Sequence, residues 1–212
     1  MEILNELSEL MQKGKLKEVV DLTQKGIDEG IGVSKILDAL LSGMAIVGEK
    51  FKNNKIFVPE VLIAARAMNG GLQVLEPLLK DEGVEPIGKV VLGTVKGDLH
   101  DIGKNLVKMM LVGAGFEVID LGVDVPTEKF IEALEENKAD VLAMSALLTT
   151  TMVNMKPVID AAREKGLREN IKVMIGGAPV NEDFSNEIGA DYYTADAATA
   201  ASIAKEFMAK GI

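Results

Sequence analysis

In the first 80 residues, apolar positions recur at intervals of three and four, the spacing that places them on one face of an α-helix. Short turns separate four such stretches. The last of these turns is the polar run 52–55, followed by Pro59, a residue that a first helical turn tolerates. We therefore predict that residues 1–80 form an antiparallel bundle of four amphipathic helices.

Residues 81–88 are polar and contain Gly and Pro, and they separate the helical part from a region with a different pattern. We predict that they link a domain of residues 1–80 to a second domain of residues 89–212. In this second domain, short β-type apolar runs alternate with helical stretches. The predicted strands are 90–92, 116–119, 141–144, 173–175 and 192–193, and the predicted helices are 102–113, 127–137, 152–166, 181–188 and 197–209.

This alternation of strands and helices is typical of an α/β fold in which helices cover both faces of a parallel sheet. Right-handed crossovers then give a doubly wound, five-stranded parallel sheet. Ligands of such folds bind at the carboxyl ends of the strands. The loops that follow the strands are therefore the places to look for chemistry.

The chain has 212 residues, a net charge of −10, no cysteine and one histidine. The lack of cysteine excludes a disulfide framework, thiolate-bound zinc, an iron–sulfur cluster and a cysteine nucleophile. An acidic chain is repelled by phosphate backbones and anionic lipids, so nucleic acid and membranes are unfavourable partners. The amino terminus lacks the features of a signal peptide, and no apolar run approaches the roughly 20 residues that span a bilayer. We therefore expect a cytoplasmic protein.

The single histidine, His100, lies in the first loop from strand to helix, residues 94–103, two residues after Asp98 and three before Gly103. A phosphate-binding loop is excluded because five residues, not four, separate the two glycines of this loop, and a dinucleotide-binding Gly-x-Gly-x-x-Gly is absent. One interpretation of His100 is a solvated side chain in a helix-capping loop. The other is metal ligation, because neutral imidazole is a common metal ligand and a carboxylate on its second nitrogen fixes the tautomer. A single protein ligand suffices when a macrocycle fills the equatorial positions of the metal, which points to haem or a corrinoid.

Two further strand ends carry small or hydroxyl-bearing residues. Residues 145–151 read Ser-Ala-Leu-Leu-Thr-Thr-Thr, and Gly176 and Gly177 follow the fourth strand. Ordinary turns explain such sequences equally well. Together with Gly93 and Gly103, however, they predict a slot between strands whose hydroxyl-bearing walls suit a planar heterocycle.

Three motifs on these loops match one known family in order and spacing. Residues 98–103 fit Asp-x-His-x-x-Gly, residues 145–147 fit Ser-x-Leu, and residues 176–177 supply Gly-Gly. The second domain therefore resembles the cobalamin-binding domains, which have a flavodoxin-like fold. Residues 48–51 (Gly-Glu-Lys-Phe) and 57–61 (Phe-Val-Pro-Glu-Val) resemble the helical cap of the cobalamin module of methionine synthase. The resemblance covers essentially the whole chain, which looks like the corrinoid proteins of methyltransferase systems.

The resemblance implies roles for individual residues. His100 is expected to be the lower axial ligand of cobalt in place of the cofactor's own benzimidazole, with Asp98 hydrogen-bonded to it and Thr151 completing the relay. Phe51 and Val58 are expected to cover the upper face of the corrin. The resemblance also implies a set of residues that contact the cofactor below the corrin or along its nucleotide. These are Gly97, Asp98, Leu99, His100, Asp101, Ile102, Gly103, Ser145, Leu147, Thr149, Gly176, Gly177 and Ala197.

For function, the resemblance implies a methyl carrier that binds cobalamin or a related corrinoid and has no substrate pocket of its own. It would receive a methyl group from a substrate-specific methyltransferase acting on methylamines, methanol, betaines or methoxylated aromatics. An acceptor methyltransferase would pass the group to tetrahydrofolate or to a thiol such as coenzyme M, and a reductive activase would be a third partner. The alternatives are a cobalamin-based sensor, the small subunit of a cobalamin mutase and a cofactor-free flavodoxin-like interaction domain.

Overall fold

The computed structural model describes residues 2–210. Its first part consists of four helices, α1 (Glu2–Gln12), α2 (Leu16–Asp28), α3 (Val33–Lys52) and α4 (Val58–Asp81). Helix α2 packs on α4, and α1 and α4 both pack on α3, so the apolar stripes are turned toward one another. Fully buried side chains from this core include Leu7, Met11, Ile36, Leu40 and Leu75. The predicted four-helix bundle is confirmed.

The second part is built on a five-stranded sheet with the order β2-β1-β3-β4-β5, in which every pairing is parallel. The strands are β1 (Lys89–Thr94), β2 (Glu117–Asp120), β3 (Val141–Ser145), β4 (Lys172–Gly176) and β5 (Tyr192–Thr194). The helices are α5 (Ile102–Gly113), α6 (Thr127–Asn137), α7 (Thr149–Met152), α8 (Met155–Glu164), α9 (Glu182–Ile188) and α10 (Ala197–Lys210). The strand order reverses direction at β1 and β3, which confirms the predicted doubly wound α/β fold.

The three central strands are apolar along their length because helices cover both faces of the sheet. Val91, Leu142 and Val173, one from each of these strands, are fully buried. They belong to one cluster with Phe130 of α6 and Met155 of α8. This packing holds the strands firmly, and it thereby fixes where their carboxyl ends emerge.

The pairing register brings the ends of four strands into one row. Thr94 of β1 pairs with Ser145 of β3, Ser145 pairs with Gly176 of β4, and Gly176 pairs with Thr194 of β5. The loop that contains His100 follows Thr94 directly. All three sequence motifs therefore leave the sheet side by side at its carboxyl edge.

The helix predicted over 152–166 starts earlier and is divided in two. Helix α7 ends at Met152, and α8 begins only at Met155. The ring of Pro157 lacks an amide hydrogen and would clash with the carbonyl group of Val153 in a continuous helix, so the helix breaks there. The break leaves Asn154 between the two helices.

Packing divides the chain into two compact units. One comprises the chain up to Pro86 together with Gly113–Gly115, and the other comprises Ile87–Val112 and the chain from Phe116 onwards. The loops at the carboxyl edge of the sheet all belong to the second unit. No helix within residues 2–210 is long and apolar enough to cross a membrane.

Candidate functional site

The imidazole of His100 is held by the carboxylate of Asp98. Nδ1 lies 2.7 Å from Oδ1 of Asp98, and the same oxygen accepts the backbone N–H of His100 at 3.1 Å. The side chain of His100 is 50% exposed, and no atom of residues 2–210 forms a hydrogen bond with its Nε2. In the neutral tautomer that carries its proton on Nδ1, the ring donates that proton to Asp98 and presents the Nε2 lone pair to a ligand. This is the usual arrangement of a metal-binding histidine.

The carboxylate of Asp98 is fully buried and satisfied by hydrogen bonds. Its Oδ2 accepts the hydroxyl of Thr151 at 2.6 Å and the backbone N–H groups of Leu147 at 2.8 Å and Leu148 at 3.3 Å. Burial by itself raises the pKa of Asp98, but the hydrogen bonds from Thr151, Leu147 and His100 outweigh it and hold the pKa well below its usual range. Asp98 is therefore ionised at neutral pH, and its Oδ1 is available to accept a hydrogen bond from the imidazole.

Replacement of Thr151 by valine, which keeps the shape but removes the hydroxyl, should weaken this network. Thr151 is only 7% exposed, so Asp98 would lose a donor that water does not readily replace. We expect the free energy of unfolding to fall by about 1–3 kcal/mol, measured by urea denaturation of the cofactor-free protein. Thr151→Ser retains the hydroxyl and should keep most of the stability. Equal stability of the valine variant and the wild type would contradict this role.

Exposed apolar side chains flank the imidazole. Leu99 is 71% exposed and Ile102 is 77% exposed, on either side of His100 in the chain. Leu147 and Leu148, whose N–H groups bind Asp98, are each 43% exposed. Several large apolar residues exposed around one polar group are typical of a binding surface. They would suit the apolar surface of a macrocycle bound at this imidazole.

The glycines of the predicted slot differ in what surrounds them. A Cβ atom at Gly93 would lie 2.7 Å from the ring of Phe130, so the protein's own core fills that space, and the interpretation of Gly93 as part of a slot is wrong. At Gly177, where φ is +125°, a Cβ would collide with the carbonyl oxygen of Ala146. At Gly103 a Cβ would meet no atom within 4 Å. Among the four glycines of the predicted slot, Gly103 is therefore the one with open space beside it, as expected if a bulky group approaches there.

The remaining predicted residues lie in several places. Ser145 is half-buried at the end of β3, Thr149 is exposed at the start of α7, and Ala197 is buried at the start of α10. Phe51 and Val58 are half-buried residues of the helical unit, near the end of α3 and at the start of α4. The structure thus brings the loops after β1 and β3 into direct contact, and the cofactor contacts of these five residues stay predictions.

Sequence reasoning missed a buried ion pair beside the site. Lys104, which is 2% exposed, places its Nζ 2.6 Å from Oδ1 of Asp120, and Lys108 lies 3.2 Å from the other carboxylate oxygen. Burial raises the pKa of Asp120, but hydrogen bonds from Lys104, Gly122 and Lys108 reverse the shift and lower it. The pair joins the first turn of α5 to the end of β2. The sequence contained one indication of this pair. It is the lysine that directly follows Gly103, on a helix whose other residues toward the sheet are apolar.

The residues present fit a metal held inside a macrocycle. Within residues 2–210 no group of three or more His, Asp or Glu side chains is arranged to hold an ion. His100 is therefore the candidate protein ligand, and the cofactor would have to fill the other coordination positions of the metal. The half-exposed imidazole, the apolar residues around it and the open space at Gly103 suit such a group. These features do not distinguish a corrinoid from haem.

Comparison with known proteins decides between the two. The B12 binding domain family matches residues 88–203, and a second family with the same description matches residues 3–76. The chain belongs to the B12-binding corrinoid proteins. This corrinoid protein is 43% identical over 98% of both chains to the dimethylamine corrinoid protein of Methanosarcina barkeri. It is 41% identical over 99% of both chains to a corrinoid protein of Desulfitobacterium hafniense strain Y51.

A solved structure supports the same family. The corrinoid protein matches a chain in the crystal structure of the methanol:cobalamin methyltransferase complex MtaBC of Methanosarcina barkeri with a TM-score of 0.89 and 34% identity. The match covers 99% of this chain and 81% of the other. The resemblance, the fold and the corrinoid cofactor predicted from the sequence are therefore confirmed.

Proposed function

We propose that this corrinoid protein is a methyl carrier that serves two enzymes in turn. When bound, the corrinoid supplies a cobalt ion that can accept and release a methyl group. The chain supplies the cofactor's surroundings. The observation that carries the proposal is a half-exposed imidazole whose Nδ1 is bound to a buried carboxylate, in a chain related over its whole length to corrinoid proteins.

In this proposal His100 would hold cobalt through Nε2, and Asp98 and Thr151 would control how firmly it does so. Asp98 keeps the proton on Nδ1, which leaves Nε2 free for the metal. The ionised carboxylate of Asp98 would hold the ring in this orientation. Thr151 keeps Asp98 in place through its 2.6 Å hydrogen bond.

We propose that the other residues implied by the family contact the cofactor as follows. The loop 97–103, together with Ser145, Leu147, Thr149, Gly176, Gly177 and Ala197, holds the corrinoid and its detached nucleotide. Phe51 and Val58 cover the upper face. Residues 1–80 act as a cap, residues 81–88 as a linker and residues 89–212 as the cofactor-binding domain.

The partners in this proposal are methyltransferases. One takes the methyl group from a substrate, and a methylated amine is the first donor to test because related proteins are named for dimethylamine. The second passes the group to tetrahydrofolate or to a thiol such as coenzyme M. A reductive activase restores the cofactor when its cobalt becomes oxidised.

A single-turnover experiment tests the carrier function. Cobalamin-loaded protein is reduced, given an isotope-labelled methyl group by chemical alkylation, and mixed with an acceptor methyltransferase and coenzyme M or tetrahydrofolate. We expect the label to move to the acceptor only when the methyltransferase is present. A protein that binds cobalamin tightly but retains the label with every acceptor pair, and takes none from methylamine- or methanol-dependent methyltransferases, would be a sensor instead.

A further inference from the structure

The loop that contains His100 begins with a tight turn at Val95–Asp98. The N–H of Asp98 donates to the carbonyl oxygen of Val95 at 3.1 Å, and Gly97, the third residue of the turn, has a φ of +82°. Lys96, the second residue, has an ordinary negative φ because it is not among the residues with positive φ. This combination defines a type II turn. Type I and type II turns differ by a flip of the central peptide, here the peptide that joins Lys96 to Gly97.

Both polar groups of this central peptide are held by side chains from other loops. The N–H of Gly97 donates to Oδ1 of Asp124 at 2.7 Å, in the loop between β2 and α6. The carbonyl oxygen of Lys96 accepts Nδ2 of Asn154 at 2.8 Å, at the break between α7 and α8. A flip of the peptide would break both hydrogen bonds. Asp124 and Asn154 therefore act together to select the type II turn.

Asp124 is itself in an unusual conformation that serves this contact. Its φ is +52°, in the left-handed region that residues other than glycine seldom adopt. Its own N–H donates to the carbonyl oxygen of Asp98 at 2.9 Å, so Asp124 holds the turn at two peptides, Lys96–Gly97 and Asp98–Leu99. A backbone outlier of this kind at a binding loop is a reason to look for a role in the site.

Asn154 connects the same turn to the segment that holds the carboxylate. It lies three residues after Thr151, whose hydroxyl donates to Asp98. Asp98 is thus fixed through its backbone by Asp124 and through its side chain by Thr151, while Asn154 ties the turn to the Thr151 segment. The direction in which Asp98 presents Oδ1 to the imidazole follows from these contacts.

We propose that Asp124 and Asn154 are positioning residues for the metal-binding imidazole, acting through the Lys96–Gly97 peptide. This inference rests on the proposed function of His100 as the cobalt ligand. Neither residue needs to touch the cofactor. Their effect is to keep Asp98 oriented so that the Nδ1 proton of His100 stays bound and Nε2 stays available.

Four variants separate this role from general effects on the fold. Asp124→Gly removes the carboxylate without forcing a new side chain into the left-handed conformation, and Asn154→Ala removes the amide donor. Asp124→Asn keeps an acceptor oxygen and should restore wild-type behaviour. Glu128→Gln, at the start of the helix that follows the same loop, is the control for loss of one negative charge.

The first measurement is made on the cofactor-free protein. Because the chain has one histidine, nitrogen NMR of the protein labelled with ¹⁵N-histidine reports the tautomer of His100 without overlap. We expect the wild type, Asp124→Asn and Glu128→Gln to hold the proton on Nδ1. Asp124→Gly and Asn154→Ala should show a mixture of tautomers while retaining wild-type circular dichroism. The double variant should show little more than either single change, because one flipped peptide loses both contacts.

The second measurement is cobalamin affinity. We expect Asp124→Gly and Asn154→Ala each to bind cobalamin up to about tenfold more weakly than the wild type, which is the lower end of the effect of outer-shell partners. Wild-type tautomer and affinity in Asp124→Gly, Asn154→Ala and the double variant would overturn the proposal. If the wild type binds no cobalamin, the proposed function fails, yet the tautomer measurement still decides whether the two residues position the imidazole.

Discussion

Replacement of Asp98 by alanine is expected to have the largest effect on the stability of the cofactor-free protein. The change removes the acceptor for the Thr151 hydroxyl, for the N–H groups of Leu147 and His100, and for the imidazole Nδ1. A buried donor that loses its acceptor lowers the free energy of unfolding by more than the hydrogen bond contributed when it was formed. We expect the free energy of unfolding to fall by about 2–5 kcal/mol at neutral pH, because several donors lose a charged acceptor and each such loss costs about 1–3 kcal/mol.

The effect should depend on pH in a defined direction. The folded pKa of Asp98 lies below its ordinary value of 3.8, so the ionised carboxylate contributes stability that is complete above about pH 4. As the pH falls below that value the contribution is lost. The difference between the wild type and Asp98→Ala should therefore shrink below pH 4 and stay constant from pH 5 to pH 8, measured by urea denaturation at each pH.

The same variant should still bind the corrinoid, but with an altered spectrum and reduction behaviour. Removal of an outer-shell partner of a metal ligand typically weakens binding by about 10- to 100-fold. Asp98→Asn is the matched variant, because it keeps one oxygen for the donors and loses the charge. An unchanged absorption spectrum and an unchanged reduction potential in Asp98→Ala would show that Asp98 does not control how His100 binds the metal.

His100→Ala should have the largest effect on cofactor binding and little effect on the fold. Its side chain is half exposed, so its removal should change the free energy of unfolding by less than about 1 kcal/mol. Loss of the proposed protein ligand should weaken cobalamin binding by more than the roughly 10- to 100-fold typical of outer-shell changes. Added imidazole should restore part of the wild-type spectrum, because it can occupy the space that the side chain leaves.

A titration of cofactor-free protein with cobalamin measures this effect. Leu99→Ala is a useful control, since it removes exposed apolar surface beside His100 but leaves the imidazole in place. If His100→Ala has the cobalamin affinity and the spectrum of the wild type and does not respond to added imidazole, then His100 does not bind the cobalt.

The sequence was sufficient to predict most of the elements and the edge of the sheet where the candidate site lies, although it missed the division of the helix predicted over 152–166. Apolar periodicity reports local structure, and the helix predicted over 102–113 has those bounds in the structure. The Asp-x-His-x-x-Gly motif indicated the loop because its residues are neighbours in the chain. The hydrogen bond between Asp98 and His100 spans two residues and is present as expected.

Contacts between distant segments could not be predicted in the same way. Gly97 and Asp124 are 27 residues apart and Lys96 and Asn154 are 58 apart, and no periodic pattern indicates which side chains meet across the ends of strands. The slot interpretation of Gly93 was wrong for a related reason, because the ring that fills its space comes from Phe130 on a helix. The packing partner of a glycine is a tertiary property that the local sequence does not contain.

The most direct test of cobalt ligation by His100 is electron paramagnetic resonance of the cobalt(II) form of the cobalamin-loaded protein. Because the chain has one histidine, growth on ¹⁵N-histidine labels a single side chain. If Nε2 of His100 binds cobalt, the nitrogen splitting changes from a triplet to a doublet on labelling. A triplet that is the same with and without the label would show that the cofactor's own benzimidazole remains bound, and would contradict the assignment of His100 as the metal ligand.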